Sequence, residues 1–340
     1  TNLNRQIIAT RKTIGQYNFN NMKITTLELP TSLVSISSNS FSDLSVLTEI
    51  IFHEGLERIE GGAFYNCQHL DSVIFPESLS ILQGGFGNGI DNVEIGGAGK
   101  TISSSGILIP NCKNLIIRGG TIDGNSGTTS LLQLESLTLK GTVEFSNGSQ
   151  FTPAYTLKTV ILESGIKEIP SSCFSGCKIT KIVIPESVKS IGDSAFRFTL
   201  LENATIPNGV ETIGVGAFSG TKIANIVIPK SVASIGNNAF SSSVSTNVSL
   251  NKKTNEISGS PWGATGIITW LIRVTRLEVT HTPTKIRYFV GEVFDSAGLI
   301  ITAYYNDNTS EQVTGYTLSS PDMSAYGSKT VTVTFDEKTV

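Results

Sequence analysis

The sequence predicts a mostly β protein in two parts: a solenoid of about eleven coils joined by a parallel sheet, then a small antiparallel β-sandwich. Three observations predict this. A phenylalanine or an aliphatic residue recurs every 20 to 23 residues from Phe19 to Phe240. Each unit carries a short stretch of alternating apolar residues, and beyond about residue 273 the long period gives way to continuous alternation. The two periods predict two kinds of β architecture.

The recurring apolar position defines the repeat. It is occupied by Phe19, Phe41, Phe64, Phe86, Ile109, Leu131, Phe151, Phe174, Phe196, Phe218 and Phe240. A unit of 22–23 residues cannot bury its apolar face alone, whereas stacked copies bury it against each other. We therefore expect these side chains to form one internal column, the phenylalanine column.

A single unit shows how one coil forms. Ile182 and Ile184 alternate with outward residues, as in a strand, and Pro185 ends the strand because proline has no N–H to donate. Gly192 suits a tight bend, and Phe196 then returns to the interior. The second half of the unit is too rich in Gly and Ser for more than one short helical turn, so helix content should be low.

The repeat unit resembles that of a known family. It reads L-x-x-V-x-I-P-x-S-V-x-x-I-G-x-x-A-F-x-x-C and is clearest at 179–196, 201–218 and 223–240. This resembles the BspA-like class of leucine-rich repeat, which occurs in surface proteins of bacteria and some protists. The resemblance implies that residues 1–250 form a leucine-rich-repeat solenoid.

The coils at 87–155 depart from the pattern, because they keep the strand half and lose the S-V-x-x-I-G half. Asn114 to Gly127 instead resembles one coil of the right-handed β-helices of pectin-degrading glycosidases. Asp123 in that segment is the one catalytic candidate. An inverting glycosidase needs a cluster of carboxylates across the scissile bond, and adjacent coils offer Glu94, Glu135 and Glu144 at scattered positions. We therefore expect no enzyme.

Two segments follow the solenoid. Residues 251–272 contain Trp262 and Trp270 and resemble the element that closes such arrays, so they should cap the open end. The alternative is that the two indoles are platforms for sugars. Residues 273–340 resemble the bacterial immunoglobulin-like domain, a spacer or adhesion module, and the resemblance implies that the last strand is truncated.

Composition excludes several functions. A net charge of −3 gives no basic field for nucleic acid. No run of 18 apolar residues occurs, so we expect no membrane insertion within this segment, with any signal peptide and anchor outside it. The four cysteines lack the spacing of a zinc site; Cys173 and Cys177 are either bridged or, with the others, buried free thiols. We expect no metal and no cofactor.

The strands predict a binding surface. The residue between the two inward positions of each strand must point outward. In six coils that residue is aliphatic, and we call these six residues the outward stripe: Ile51, Ile74, Ile116, Ile161, Val183 and Val227. A second outward column of polar character, the rim, consists of Glu49, Ser72, Asn92, Asn114, Ser136, Thr159, Lys181, Asn203 and Asn225.

These patterns predict a monomeric bacterial protein, secreted or at the cell surface, that binds a protein or glycan on a host or neighbouring cell. The expected interface is the outward stripe with its polar rim. The sequence leaves two alternatives open. One is a carbohydrate-binding protein or β-helix glycosidase, and the other is a structural stalk.

Overall fold

The computed structural model describes residues 11–84, 86, 90–102, 112–123, 133–146, 151, 155–241, 244–254 and 256–340. Every regular element in those residues is a β-strand. The chain divides into two compact units. The first comprises Thr1–Val248 and Ile257–Ile268, and the second comprises Ser249–Glu256 and Thr269–Val340.

Most coils of the solenoid contribute two described strands. In chain order they are β1 (Thr13–Ile14), β2 (Thr26–Glu28), β3 (Ser35–Ile36), β4 (Glu49–Ile51), β5 (Arg58–Ile59), β6 (Ser72–Ile74), β7 (Ile81–Leu82), β8 (Asn92–Ile95), β9 (Thr101–Ile102), β10 (Asn114–Ile117), β11 (Gly120–Asp123), β12 (Ser136–Leu139), β13 (Val143–Ser146), β14 (Thr159–Leu162), β15 (Glu168–Ile169), β16 (Lys181–Val183), β17 (Ser190–Ile191), β18 (Asn203–Thr205), β19 (Thr212–Ile213), β20 (Asn225–Ile228), β21 (Ser234–Ile235) and β22 (Asn247–Leu250).

The even-numbered strands β2 to β22 follow one another in contact, and we call them the first sheet. The odd-numbered strands form three segments, β1-β3-β5-β7, β9-β11-β13 and β15-β17-β19-β21, which we call together the second sheet. The pairings are parallel and keep one register, so that Ile116 lies between Glu94 and Thr138. The predicted parallel-sheet solenoid is confirmed. The second sheet was not predicted, because most of its strands are two residues long and too short to show a period of two.

The predicted phenylalanine column is confirmed by ring stacking. The rings of Phe19, Phe41, Phe64 and Phe86 follow one another at centroid distances of 5.4, 5.3 and 5.1 Å. The rings from Phe151 to Phe240 continue in the same way at 5.3 to 6.0 Å. Ile109 and Leu131 lie outside the described residues. The column supplies much of the interior, since Phe41, Phe64 and Phe196 have no exposed surface.

The coils approach one another most closely at a row of glycines. A Cβ atom at Gly214 would lie 2.5 Å from the backbone nitrogen of Asp193 in the preceding coil. Gly192 and Gly236 meet the coil before them at 2.5 and 2.4 Å in the same way. None of these three glycines has a positive φ, so the bend does not require glycine; the close packing of successive backbones does.

Trp262 lies beside the last phenylalanine of the column. It is 1% exposed, its backbone oxygen accepts a hydrogen bond from the Phe240 N–H, and its indole N–H donates to the Ser258 carbonyl. A buried indole offers no face to a sugar ring, so the sugar-platform hypothesis is wrong for Trp262. Trp270 is half-buried.

The remaining strands are β23 (Ile268–Trp270), β24 (Val274–His281), β25 (Ile300–Tyr305), β26 (Ser310–Val313), β27 (Thr317–Leu318), β28 (Val333–Phe335) and β29 (Lys338–Thr339). The second unit has two antiparallel sheets, β24-β25-β26 and β27-β28-β29. Side chains from both sheets, among them Leu277, Ile301, Val313 and Val333, form its core. This agrees with the predicted sandwich.

Candidate partner-binding surface

The first sheet positions the outward stripe by strict alternation. In β4, Ile50 is 7% exposed and faces the interior, while Ile51 on the opposite side of the strand is 38% exposed. Strands β2, β6 and β16 repeat the pattern of exposed, buried and exposed residues. Because all coils share one register, the outward residues line up across the sheet.

Five of the six stripe residues are exposed to solvent. The exposed fraction is 57% for Ile74, 49% for Ile161, 79% for Val183 and 57% for Val227. Ile116 is half-buried. Large aliphatic side chains with this exposure leave apolar surface in contact with water, which is the usual mark of an interaction site when several are grouped.

The outward stripe is divided into groups by polar residues. Ile51 and Ile74 belong to neighbouring coils, and Ile161 and Val183 belong to another neighbouring pair. Glu94 and Thr138 occupy the outward position between these two groups. The Glu94 carboxylate lies 3.5 Å from the Arg118 side-chain nitrogen Nε, so the separating surface is polar and partly charge-neutralised.

The rim lies on the same face, two residues before the stripe in each strand. Its residues are exposed except for Ser136, which is half-buried. The amide of Asn114 donates to the side-chain oxygen of Asn92 at 2.8 Å, and Asn247 donates to Asn225 at 2.9 Å. Each amide bonded in this way keeps a fixed orientation, so the rim presents ordered donors and acceptors.

Ion pairs stand just outside the rim. Lys113 Nζ lies 2.8 Å from Asp91, and Lys158 Nζ lies 3.0 Å from Glu135. The hydrogen bond from Lys113 to Asp91 raises the pKa of the Lys113 ammonium group. These exposed pairs add little to stability. They do keep that edge of the surface charged and hydrated next to the apolar stripe.

The catalytic candidates are divided between the two sheets. Asp123 lies on β11, and Glu144 lies on β13, where its register partner is Thr121. Glu94 lies on β8 of the first sheet. Glu135 is engaged by Lys158. Among the described residues, no group of three or more His, Cys, Asp or Glu side chains is arranged to hold a metal ion.

The cysteines carry free thiols. Burial raises the pKa of Cys112 and of Cys177 to about 12, and it raises the pKa of Cys173 as well. The pKa of Cys67, which is half-buried, is raised to about 11 for the same reason. Thiols protonated so firmly at neutral pH act as small apolar core residues.

The stacked coils with parallel sheets and a repeated leucine-rich unit define a leucine-rich-repeat solenoid. Comparison with protein families matches residues 3–106 and 127–258 to the BspA type leucine rich repeat region, in six copies, and residues 281–340 to the bacterial Ig-like domain (group 3). The chain belongs to the BspA type leucine-rich-repeat family. The unmatched residues 107–126 lie within the coils that depart from the repeat pattern.

Three solved structures are similar to the chain. A leucine-rich repeat protein from Bacteroides ovatus is 21% identical and covers 76% of this chain and 69% of its own, with a TM-score of 0.40. The pneumococcal vaccine antigen PcpA is 16% identical, with coverages of 76% and 84% and a TM-score of 0.30. A leucine rich cell surface protein from Faecalibacterium prausnitzii is 22% identical, with coverages of 72% and 62% and a TM-score of 0.28.

A comparison with curated protein sequences finds no match. Of the residues that the structure describes, none forms a helix with the length and apolar character needed to cross a membrane.

Proposed function

We propose that the chain is a secreted or cell-surface bacterial protein that binds a protein or glycan partner through the outward stripe. The observation that carries the proposal is the alignment of exposed aliphatic side chains across the first sheet. Ile74, Ile161, Val183 and Val227 are each between 49% and 79% exposed. Family membership supports it, because proteins of this repeat class occur at bacterial surfaces.

The free energy of apolar burial favours the neighbouring residues Ile161 and Val183 as the place where a partner makes contact. Burying one aliphatic side chain completely contributes about 1.5–3 kcal/mol, so a partner that covers both removes a substantial apolar surface from water. The polar rim beside the group supplies hydrogen-bonding side chains, as the periphery of a protein interface does. This arrangement serves binding without any chemical step.

We propose a binding function in preference to catalysis. Asp123 and Glu94 belong to different sheets, and Glu135 is held by an ion pair. A net charge of −3 does not attract nucleic acid. The proposed binder acts as a monomer, needs no cofactor and takes its partner from a host or neighbouring cell surface.

The test is a double variant, Ile161→Lys with Val183→Glu, used with the full chain. Immobilised wild-type protein should retain a partner from extracellular matrix, mucin or cell-surface extracts, and the variant should not. Both side chains are exposed, so circular dichroism and the melting temperature should stay close to those of the wild type.

The matched control is Thr212→Lys with Ser234→Glu, which places the same charges at exposed positions of the second sheet. It should retain the partner. Equal retention by a folded Ile161→Lys/Val183→Glu variant would refute the stripe as the binding surface. Retention of nothing at micromolar concentration by the wild type would favour a structural stalk.

A further inference from the structure

At one position of the described turns, a single coil carries an aromatic residue where the other coils carry Asn, Asp or Gly. Two residues after the phenylalanine of the column, the backbone takes the left-handed conformation, with positive φ. The residues at this position are Asn21 (φ 59°), Asp43 (φ 58°), Asn66 (φ 59°), Gly176 (φ 76°), Phe198 (φ 58°) and Gly220 (φ 72°). Asn, Asp and Gly tolerate this conformation, whereas a bulky aromatic residue is an outlier there.

Phe198 also gains little from burial. Its side chain is 58% exposed, while the column residue Phe196 in the same coil has no exposed surface. The strained backbone costs free energy, and the exposed ring recovers little of that cost through burial. Strained residues cluster at functional sites, so the strain at Phe198 favours a functional explanation.

The turn places Phe198 among specific neighbours. The guanidinium carbon of Arg197 lies 4.6 Å from the centre of the Phe198 ring. The ring also packs against the next coil. A Cβ atom at Gly220 would lie 2.3 Å from the Cδ1 atom of Phe198. A side chain at Gly220 would displace the ring, and the glycine there makes room for it.

A second exposed ring lies in the same column of turns. Tyr155 is 61% exposed, and its ring lies 3.4 Å from the position of a Cβ atom at Gly176. The Gly176 N–H donates to the Arg197 carbonyl at 2.8 Å, so the coils of Gly176 and Phe198 are direct neighbours. We call Tyr155, Gly176, Arg197, Phe198 and Gly220 the aromatic turn surface.

Cations outnumber anions around this surface. Residues 171–178, 193–200 and 215–222, which contain three successive turns, include the exposed cations Lys178, Arg197 and Lys222 and one carboxylate, Asp193, which accepts a hydrogen bond from the Val215 N–H. The whole chain has a net charge of −3, so these turns are more positively charged than the chain as a whole. Their field favours an acidic partner.

We propose that the aromatic turn surface is a second binding site, which takes an acidic protein segment with an apolar side chain beside its carboxylates. Arginine and exposed aromatic rings are the residue types that dominate protein–protein hot spots. The guanidinium binds carboxylates in a defined geometry. A protein segment is favoured over a sugar, because Arg197 already covers one face of the Phe198 ring.

The site lies on the turns and is separate from the outward stripe, so it extends the proposed function and is tested apart from it. A phage library of short random peptides is selected on the immobilised 340-residue chain. Selected peptides are synthesised, and their binding is measured by fluorescence polarisation. We expect sequences rich in Asp and Glu with an aromatic or aliphatic residue among them, and binding that weakens as NaCl is added.

Two variants test the residues. Phe198→Asn installs the residue found at the same place in two other coils, so the melting temperature should not fall, while affinity for the selected peptides should fall about tenfold. Arg197→Glu should weaken binding at least as much. Val183→Glu, in the outward stripe, should leave peptide affinity unchanged, which separates the two sites.

Three results would overturn the proposal. They are selection without enrichment, enriched peptides without acidic residues, and acidic peptides that bind Phe198→Asn as tightly as the wild type. A hyaluronan oligosaccharide, a carboxylated glycan, is measured alongside. If hyaluronan binds and Phe198→Asn abolishes that binding while no peptide is selected, the surface belongs to a glycan and the proposal is wrong.

Discussion

The ring of Phe196 lies 5.3 Å from the ring of Phe218, with the two planes inclined by 16°. Phe196 makes the same kind of contact with Phe174, at 5.7 Å. Phe196 thus meets one ring on each side, and the stacking stabilises the coil beyond the effect of apolar burial alone. Stability in such an array depends on contacts between neighbouring coils.

Truncation of one ring should weaken the solenoid locally. We expect Phe196→Ala to lower the free energy of unfolding by about 3–5 kcal/mol, because it removes a side chain without exposed surface and leaves a cavity between two coils. Hydrogen exchange measured by mass spectrometry should show faster exchange in the coils that contain Phe174, Phe196 and Phe218 than in distant ones.

The matched control for Phe196→Ala is Phe198→Asn, which alters an exposed phenylalanine of the same coil. The control should not destabilise the protein. If the two variants unfolded at the same temperature, the assignment of Phe196 to the interior column would be refuted.

The glycine row predicts a second stability effect. We expect Gly214→Ala to destabilise the solenoid by about 1–3 kcal/mol, because the new methyl group would lie 2.5 Å from the backbone nitrogen of Asp193 and the two coils would have to separate. Chemical denaturation measures the difference. Ser234→Ala, at an exposed position of the same sheet, is the control and should change stability by less than about 0.5 kcal/mol.

Thiol reactivity tests the state of the cysteines. With Ellman's reagent near neutral pH, we expect native protein to react slowly, and first at Cys67, the half-buried thiol with a pKa of about 11. The buried Cys112, Cys173 and Cys177 should react only on unfolding. In urea all four thiols should titrate. A count of two would mean that one disulfide is present, and peptide mapping would then test whether it joins Cys173 and Cys177.

The immunoglobulin-like unit has a carboxylate whose ionisation should stabilise it. Lys253 Nζ lies 2.8 Å from Glu311, and the Tyr305 hydroxyl donates to Glu311 at 2.6 Å; these contacts lower the pKa of Glu311 below its ordinary value of 4.5. The stabilisation is therefore present above pH 4.5 and is lost as the pH falls through the lowered pKa.

Glu311→Gln tests this dependence on pH. At neutral pH the wild type should be more stable than the variant, by less than about 1 kcal/mol because the pair is partly exposed to solvent. Well below pH 4.5 the difference should vanish. Calorimetric unfolding at both pH values measures it, and a difference that grew on acidification would contradict the proposed role of Glu311.

Period and spacing in the sequence predicted the interior of the solenoid. Phe196 recurs at nearly constant intervals, and the alternation around Ile182 is enough by itself to distinguish inward from outward residues. The second sheet was not predicted, because strands such as Ser190–Ile191 are too short to display a period of two. The sequence analysis therefore explained Gly192, which follows that strand, by a bend alone.

The sequence predicted one of the two candidate surfaces, the outward stripe, and did not predict the other. The exposure of Val183 follows from its place between two inward residues. The aromatic turn surface was not predicted, although one signal was present: Phe198 stands where Asn21 and Asn66 occupy other coils. That signal became interpretable only when the backbone showed positive φ at this position, because the sequence alone does not show which residues adopt the left-handed conformation.

The register of the first sheet does not depend on coil length. Ile74 and its partner Glu94 are 20 residues apart, Glu94 and Ile116 are 22 apart, and Thr138 and Ile161 are 23 apart. The turns absorb these differences. Unequal recombination between the repeated gene segments can therefore add or delete a coil without shifting the strands on either side. Lineages that gain coils would lengthen the exposed face in steps of roughly 4.8 Å, each step bringing one more side chain for selection to act upon.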